Sequence, residues 1–386
     1  MRRTTVPPRP DWQDQAVEAG FEFHTFDGKP YWDESVCYRF TLEQIERDIE
    51  GPTTELASMC YAAVDHILGS DDLMRRFLIP DSQWSFVRQS WRDGDKDLYG
   101  RFDLAYDGNG PAKLYEFNGD TPTGLYEAAV FQWLWMEDQV RNGVLPKGTD
   151  QYNSIQEHLI EGFGGIGIPD RRLHFTCVRD SAEDRGTTAY LEDCARQGGL
   201  DTKFLFIDEL GVDSRGVFTD LDGDPIDHMF KLYPWEWLFR EDFGRYLATS
   251  GTTFIEPPWK AVLSNKALLP VLWHMFDGHP NLLQAYFEDD PAAASLGQDY
   301  ARKPLLGREG ANIQLVTLDG SRVAPGPYGE EGYIRQALAA LPGFDGQFPV
   351  LGSWIVKGEA CGLGIREEDN PITTDAARFV PHVIEP

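Results

Sequence analysis

Arg101-Phe-Asp103 and Lys113-Leu-Tyr-Glu116-Phe-Asn118 hold the residue types and spacing best suited to chemistry in this chain. Each run alternates, and Asp107-Gly-Asn-Gly110 between them is a turn sequence, so the pair predicts a β-hairpin. Side chains at i and i+2 of a strand share a face, which lets Arg101, Asp103, Glu116 and Asn118 project together. Two carboxylates and an amide oxygen are hard donors, suited to Mg²⁺ held jointly with nucleotide phosphates. Arg101 could hold a phosphate or a developing negative charge. A plainer reading of the hairpin alone is a solvated strand face neutralised by its arginine.

A second set of polar residues lies in the C-terminal third. Ser264-Asn265-Lys266 is expected to open a helix, and Tyr300-Ala-Arg-Lys303-Pro304 to end a strand. Gly307-Arg308-Glu309-Gly310 follows as a glycine-bounded loop whose backbone N–H groups could cradle phosphate. It is not a Walker A sequence. Lys266 and Lys303 flank the loop, an arrangement suited to ATP outside the P-loop class, although each lysine alone also reads as a solvated charge. Gly352-Ser-Trp354 and Gly362-Leu-Gly364-Ile-Arg366 predict another hairpin, with Arg366 beside glycines that clear space for a phosphoryl group. Taken alone, Arg366 reads more readily as a surface residue. His382 reads as part of a tucked structural tail.

The elements that must position these residues can be read in outline. The chain has 386 residues, 41% hydrophobic and 13% aromatic, enough for two or three lobes around a large core. Residues 1–40 are irregular and aromatic, as in an arm tied down on the body. Helical periodicity runs from Thr41 to about Leu78, from Thr123 to Arg141 and from Ile155 to Phe163. Strand Leu173–Val178, helix Thr187–Gly198 and strand Thr202–Ile207 form a strand–helix–strand unit, hence a parallel, Rossmann-like layer. No GxGxxG follows its first strand, so it is not a dinucleotide site. After Glu256, a helix over 265–275 and strands at 300–305, 311–317, 333–337 and 349–357 predict a second, antiparallel region.

Charge and composition narrow the function classes. Asp and Glu outnumber Lys and Arg by 63 to 35, a net charge of −28, which disfavours nucleic acid and anionic membrane and is compatible with a cationic substrate. No apolar run reaches the roughly 18 residues of a membrane span, and the N-terminus lacks a secretory apolar region, so a cytoplasmic protein is expected. The five cysteines are scattered without CxxC spacing and read as buried thiols in a reducing compartment. Neither a Ser/His/Asp nor a Cys/His set is convincing.

These residues carry a resemblance. Arg101-Phe-Asp103, Tyr115-Glu-Phe-Asn118-Gly-Asp120-Thr-Pro-Thr123, Tyr233-Pro-Trp-Glu236, Ile255-Glu-Pro-Pro-Trp259, Asn265-Lys-Ala-Leu-Leu-Pro270, Lys303-Pro304 with Gly307-Arg-Glu-Gly310, Gly352-Ser-Trp354 and Gly364-Ile-Arg366-Glu367 resemble the glutathionylspermidine synthase family. The likeness is to its synthetase domain and its short stand-alone bacterial members. It spans essentially the whole chain in consistent order. It implies an α/β (α+β) ATP-grasp ligase with an inserted Rossmann-like pre-ATP-grasp domain. The division expected is 1–165 and 256–386 for the two segments of the ATP-grasp lobe, and 166–255 for the insert. Carried over by motif, Asp103, Glu116 and Asn118 would bind two Mg²⁺. Arg101 and Arg366 would stabilise the phosphoryl group, and Lys266 and Lys303, with Gly307 and Arg308, would bind ATP. Thr121 and Thr123 stand where the bifunctional members have small hydroxyl residues near the thiol-peptide substrate, and Glu183-Asp184 matches an acidic substrate-contact segment. Those members also carry an N-terminal Cys-His amidase domain; this chain opens on the synthetase, so no amidase activity is expected.

The expectation is an ATP-dependent carboxylate–amine ligase working through an acyl phosphate. Its partners would be a small, peptide-like carboxylate and a cationic amine. A nucleotide-binding sensor or assembly partner without turnover, and a carboxylate kinase, are the alternatives.

Overall fold

Alternation, turn chemistry and small residues build the sheet that carries the hairpin. A computed structural model describes residues 1–26, 28–168, 172–339 and 341–386. Strands Tyr99–Ala105 and Lys113–Asn118 pair antiparallel, and Asp107 accepts a bond from the Asn109 N–H in the turn. Strand Phe348–Val356 lies beside Tyr99–Ala105, followed by Glu359–Glu368 and Arg378–Val380, giving a five-stranded antiparallel sheet. Every residue of Tyr99–Ala105 is buried, so both faces of this strand are covered. One cover is helix Gly51–Leu68, whose Leu56, Met59, Cys60, Ala63, Val64 and Ile67 recur at helical spacing and face the core. Thr53 Oγ1 meets Ser353 Oγ at 2.7 Å and pins the helix to the sheet. The chain enters this helical region through a capping box, Thr41 with Gln44.

The second antiparallel sheet also has five strands, in the order Ala285–Phe287, Tyr333–Ala337, Tyr300–Pro304, Gln314–Thr317 and Gly320–Val323. The strand–helix–strand unit is present and belongs to a four-stranded parallel sheet. Its order is Thr253–Ile255, His228–Leu232, Arg172–Cys177 and Asp201–Phe206. The aromatic arm is tied down: Arg2–Thr5 pairs with Val36–Phe40, which also pairs in parallel with His382–Ile384. Phe21, Tyr31 and Trp32 are buried in a cluster with Phe131, Trp135 and Phe379. His382 is buried; its Nδ1 lies 2.9 Å from Gln132 Oε1, and its Nε2 accepts the Tyr152 N–H at 3.2 Å. Burial lowers its pKa to about 3, in keeping with a structural role.

Several boundaries differ from expectation. The helix expected from Thr187 begins at Ala182, because Ser181 caps it and accepts the Asp184 N–H. Polar residues and Gly186 hide that first turn from periodicity. Gly186 is there for contact, since a Cβ on it would stand 2.4 Å from the Phe23 ring of the arm. Glu183 and Asp184 therefore sit in a first helical turn, not on a loop. Ser264–Lys266 precede helix Leu268–Met275, and Gln314 rather than Ala311 begins its strand. Strands Thr253–Ile255, Ala285–Phe287 and Gly320–Val323 are too short to announce themselves in sequence. All five cysteines are free and buried, as expected. Among the described residues, no helix is long and apolar enough to cross a membrane.

Candidate functional site

The two antiparallel sheets and the carboxyl ends of the parallel strands close on one cavity of about 640 Å³. Open α/β layers present ligand contacts at that end of their strands; here Val178, Asp184 and Leu232 do so. The hairpin contributes Arg101, Asp103, Glu116 and Asn118, all lining the cavity as their spacing predicted.

Asp103 and Glu116 are direct cross-strand partners, as are Arg101 and Asn118. Arg101 Nε donates to Asp103 Oδ1 at 2.7 Å, and Arg366 closes on Asp103 Oδ2 at 2.7 Å from the neighbouring hairpin. Gly352 stands opposite Asp103 on the adjoining strand, and a Cβ there would fall 2.8 Å from Arg101 Cδ. That position must be bare for the arginine to lie along the sheet.

A register shift between Asp103 and Leu104 leaves Tyr115 as an extra residue, a β-bulge. The bulge has a chemical result: the Tyr115 carbonyl accepts Lys303 Nζ at 2.9 Å. Lys266 Nζ lies 2.9 Å from Glu116 Oε2 and donates to the Gly307 carbonyl at 2.6 Å. Burial alone would raise the Glu116 carboxyl, but Lys266 and Lys303 outweigh it and hold the group well below its ordinary range. Burial brings Lys303 down to about 8 against the pull of Glu116. Lys266, Lys303 and the metal-type carboxylates, far apart in sequence, are thus one cluster.

The remaining expected residues fall at different places in the cavity. Arg308 lines it, donating to Thr121 Oγ1 at 3.1 Å and to Glu236 at 2.9 Å. Gly307 contributes its carbonyl to Lys266 and does not line the wall. Thr123 gives its carbonyl to Arg101 at 2.5 Å. Asp184 lines the cavity, and burial followed by repulsion from Glu183 raises it to about 6. Glu183 accepts the Tyr31 hydroxyl at 3.1 Å.

Sequence reasoning did not single out Asp120 or Glu127. Asp120 forms a buried pair with Lys231 and accepts the Trp235 N–H at 2.9 Å, tying the hairpin's exit to the parallel sheet. Its only signal was its place in Asn118-Gly-Asp120-Thr121. Glu127 is a buried acid among Leu125, Ala128 and Ala129, on a face that periodicity assigns to the core.

The donor set fits Mg²⁺. Asp103 and Glu116 supply carboxylate oxygens on adjacent strands, and the Asn118 amide lies 3.5 Å from Glu116 Oε1. No three His, Cys, Asp or Glu side chains form a metal-holding group among the described residues, so any site here would take the Asn118 amide as its third donor.

A family model described as glutathionylspermidine synthase preATP-grasp matches residues 3–385. A Haemophilus influenzae protein named "Putative acid–amine ligase" is 41% identical over 402 aligned residues, covering 100% of both chains. Trypanothione synthetase of Crithidia fasciculata is 29% identical over 83% of this chain, and the match takes in 52% of that protein. The bifunctional glutathionylspermidine synthetase/amidase of Escherichia coli is 28% identical over 90% of this chain and 59% of its own length. The chain therefore spans little more than half of these two longer relatives. A glutathione synthetase-like effector from Globodera pallida superposes with a TM-score of 0.56 at 12% identity, over 97% of this chain and 95% of that one, a likeness of fold alone. Two antiparallel sheets closing on a cavity, with a parallel layer inserted between their segments, form the ATP-grasp arrangement with its preATP-grasp unit. By its whole-length family match and its close relative, this chain belongs to the glutathionylspermidine synthase family.

Proposed function

We propose that the protein is an ATP-dependent carboxylate–amine ligase that forms an amide through an acyl phosphate. One observation carries this reading. Arg101, Asp103, Glu116, Lys303 and Arg366, from three separate stretches of chain, line one cavity, with Lys266 paired to Glu116 behind them. In this reading Lys266 and Lys303 would bind the phosphates of ATP. Asp103, Glu116 and Asn118 would hold Mg²⁺, which when bound offsets phosphate charge and orients the triphosphate. Arg101 and Arg366 both donate to Asp103, and in this reading their guanidinium charge would offset the charge that develops during phosphoryl transfer. The substrate carboxylate takes the γ-phosphoryl group; an amine then attacks the acyl carbon and phosphate leaves. Positioning and electrostatics supply the catalysis, so no side-chain nucleophile is required.

Thr121 and Thr123 form the acid side of the cavity in this reading, and Asp184, with Glu183 beside it in the same helical turn, the amine side. A cationic amine gains from these carboxylates, consistent with the overall charge of −28. Glutathione and spermidine, the components named by the relatives, are the first pair to test.

The test is ADP release at fixed Mg-ATP across a panel of acids and amines, with that pair included. ADP formation that needs both an acid and an amine supports the ligase. Release with acid alone would make the protein a carboxylate kinase, and ATP binding without turnover under every pair would make it a sensor.

A further inference from the structure

Trp354 is 1% exposed and stands directly across from Arg101 on the adjoining strand, so the two side chains share one face of the sheet. The Arg101 guanidinium carbon lies 5.6 Å from the centre of the indole, within cation–π range. Glycines make room for the ring. Gly352 precedes it by two residues on its own strand, Gly362 is its partner on the strand beyond, and Gly364 faces Gly352. A Cβ on Gly362 would meet Ile155 Cγ1 at 2.5 Å, so the helix Ile155–Gly164 closes over the sheet there.

The indole is oriented by its face. Trp354 Nε1 is buried and has no hydrogen-bond partner among the described residues, whereas a buried indole N–H usually finds one. The Tyr99 ring lies parallel to the indole, with 1° between the planes and 6.1 Å between centres. Tyr99 donates its hydroxyl to the Pro122 carbonyl at 3.3 Å, and Arg101 Nη1 donates to the Thr123 carbonyl at 2.5 Å. Two residues apart on one strand, Tyr99 and Arg101 thus hold consecutive carbonyls of the segment that carries Thr121 and Thr123. Trp354 packs against both of them. The other bonds of Arg101 run to Asp103, at 2.7 Å to Oδ1 and 3.2 Å to Oδ2.

We propose that Trp354 is a positioning residue for phosphoryl transfer: its indole face holds the Arg101 guanidinium between Asp103 and the Thr123 carbonyl. This inference rests on the ligase reading above, in which Arg101 meets the developing charge. A preorganised cation works because it does not have to move as that charge appears, and a misplacement of about 1 Å costs on the order of 10²-fold in rate. In the same reading Asp103 is also a metal ligand, so its oxygens are shared. The indole contact does not compete for them, and a cation–π contact gains strength away from water.

The test compares Trp354→Met, which removes the aromatic face, with Trp354→Phe, which keeps a smaller one, in the full chain. In ADP release, Trp354→Met should lower kcat by about tenfold, the scale of a desolvated cation–π contact, and leave the ATP KM within about twofold. Trp354→Phe should recover part of kcat, and should Trp354→Met fail to fold, the Phe variant alone should still show a loss of about threefold. In an Arg101→Ala background the Trp354 substitutions should cost less than about twofold further, because residues that act through one another are not additive. Equal losses in both backgrounds, or a change confined to KM, overturn the proposal. A second arm needs no turnover. The Arg101 Nε–H resonance in ¹⁵N-resolved NMR, assigned by its absence from Arg101→Lys, should shift in Trp354→Met and shift less in Trp354→Phe. A resonance that stays in place in both variants overturns the proposal. Absence of ADP release from the wild type under every substrate pair would instead sink the ligase reading, with the NMR arm still deciding whether the indole holds the guanidinium.

Discussion

Lys266 Nζ lies 2.9 Å from Glu116 Oε2, so the lysine and the carboxylate assigned to ATP and metal neutralise each other. Lys266 is buried and Glu116 half-buried, and in the ligase reading their charges would be preorganised for a ligand that brings both phosphate and a cation. Glu116→Gln should abolish ADP release while leaving the fold intact. Lys266→Met should raise the ATP KM by tenfold or more, about 1.4 kcal/mol. Equal ADP release by wild type and Glu116→Gln in initial-rate assays would remove Glu116 from the metal set.

Lys303 gives a pH dependence with a definite sign. Burial lowers its pKa to about 8, so above that pH the unliganded protein loses the cation meant for phosphate. ATP binding should restore the charge. Near pH 8 it should take up a proton, and the ATP KM should rise as pH increases beyond that point. Calorimetry in buffers of different ionisation enthalpy measures the uptake, and Lys303→Met should abolish it.

Arg366 reaches Asp103 at 2.7 Å from a different hairpin than Arg101. Its removal in Arg366→Ala should lower kcat by about 10²–10³, the usual cost of losing one preorganised donor to a developing charge, with a smaller change in ATP KM. Arg366→Lys should recover only part of kcat, since a point charge lacks the guanidinium fork. A change confined to KM would move Arg366 from transition-state stabilisation to ground-state binding.

The buried Asp120–Lys231 pair should matter for stability more than for chemistry. Asp120 is 1% exposed and Lys231 0%. Breaking it with Asp120→Ala leaves an uncompensated buried ammonium and should cost about 3–5 kcal/mol in denaturant unfolding. Replacing both partners by apolar residues should recover most of that loss.

Glu127 should also tilt the stability curve. Its folded pKa is raised above the ordinary value, so the folded protein binds the extra proton between pH ~4.5 and about 8. Wild-type stability should therefore fall relative to Glu127→Gln as pH rises through that window, by at most about 1.4 kcal/mol per pH unit, and run parallel above it. Parallel curves throughout would show that Glu127 is ionised in the folded protein.

Much of the site was legible because strand geometry is local. Period-2 alternation around Asp107–Gly110 was enough to put Arg101, Asp103, Glu116 and Asn118 on one face, and Gly352 and Arg366 were marked by the next hairpin. The parallel layer likewise followed from apolar strands separated by one helix. By contrast, the bulge that turns the Tyr115 carbonyl to Lys303 depends on how two strands pair, which no local pattern encodes. The burial of Asp120 against Lys231 joins segments 111 residues apart, and the burial of Glu127 likewise depends on packing outside its own turn. An acidic side chain reads as solvated until its neighbours are known. Periodicity and turn chemistry are properties of adjacent residues, so the sequence alone determined the hairpin and its chemical type. Desolvation and charge pairing are properties of the packed whole, so only the tertiary structure decided which carboxyls hold charge, which hold a proton, and which lysines they meet.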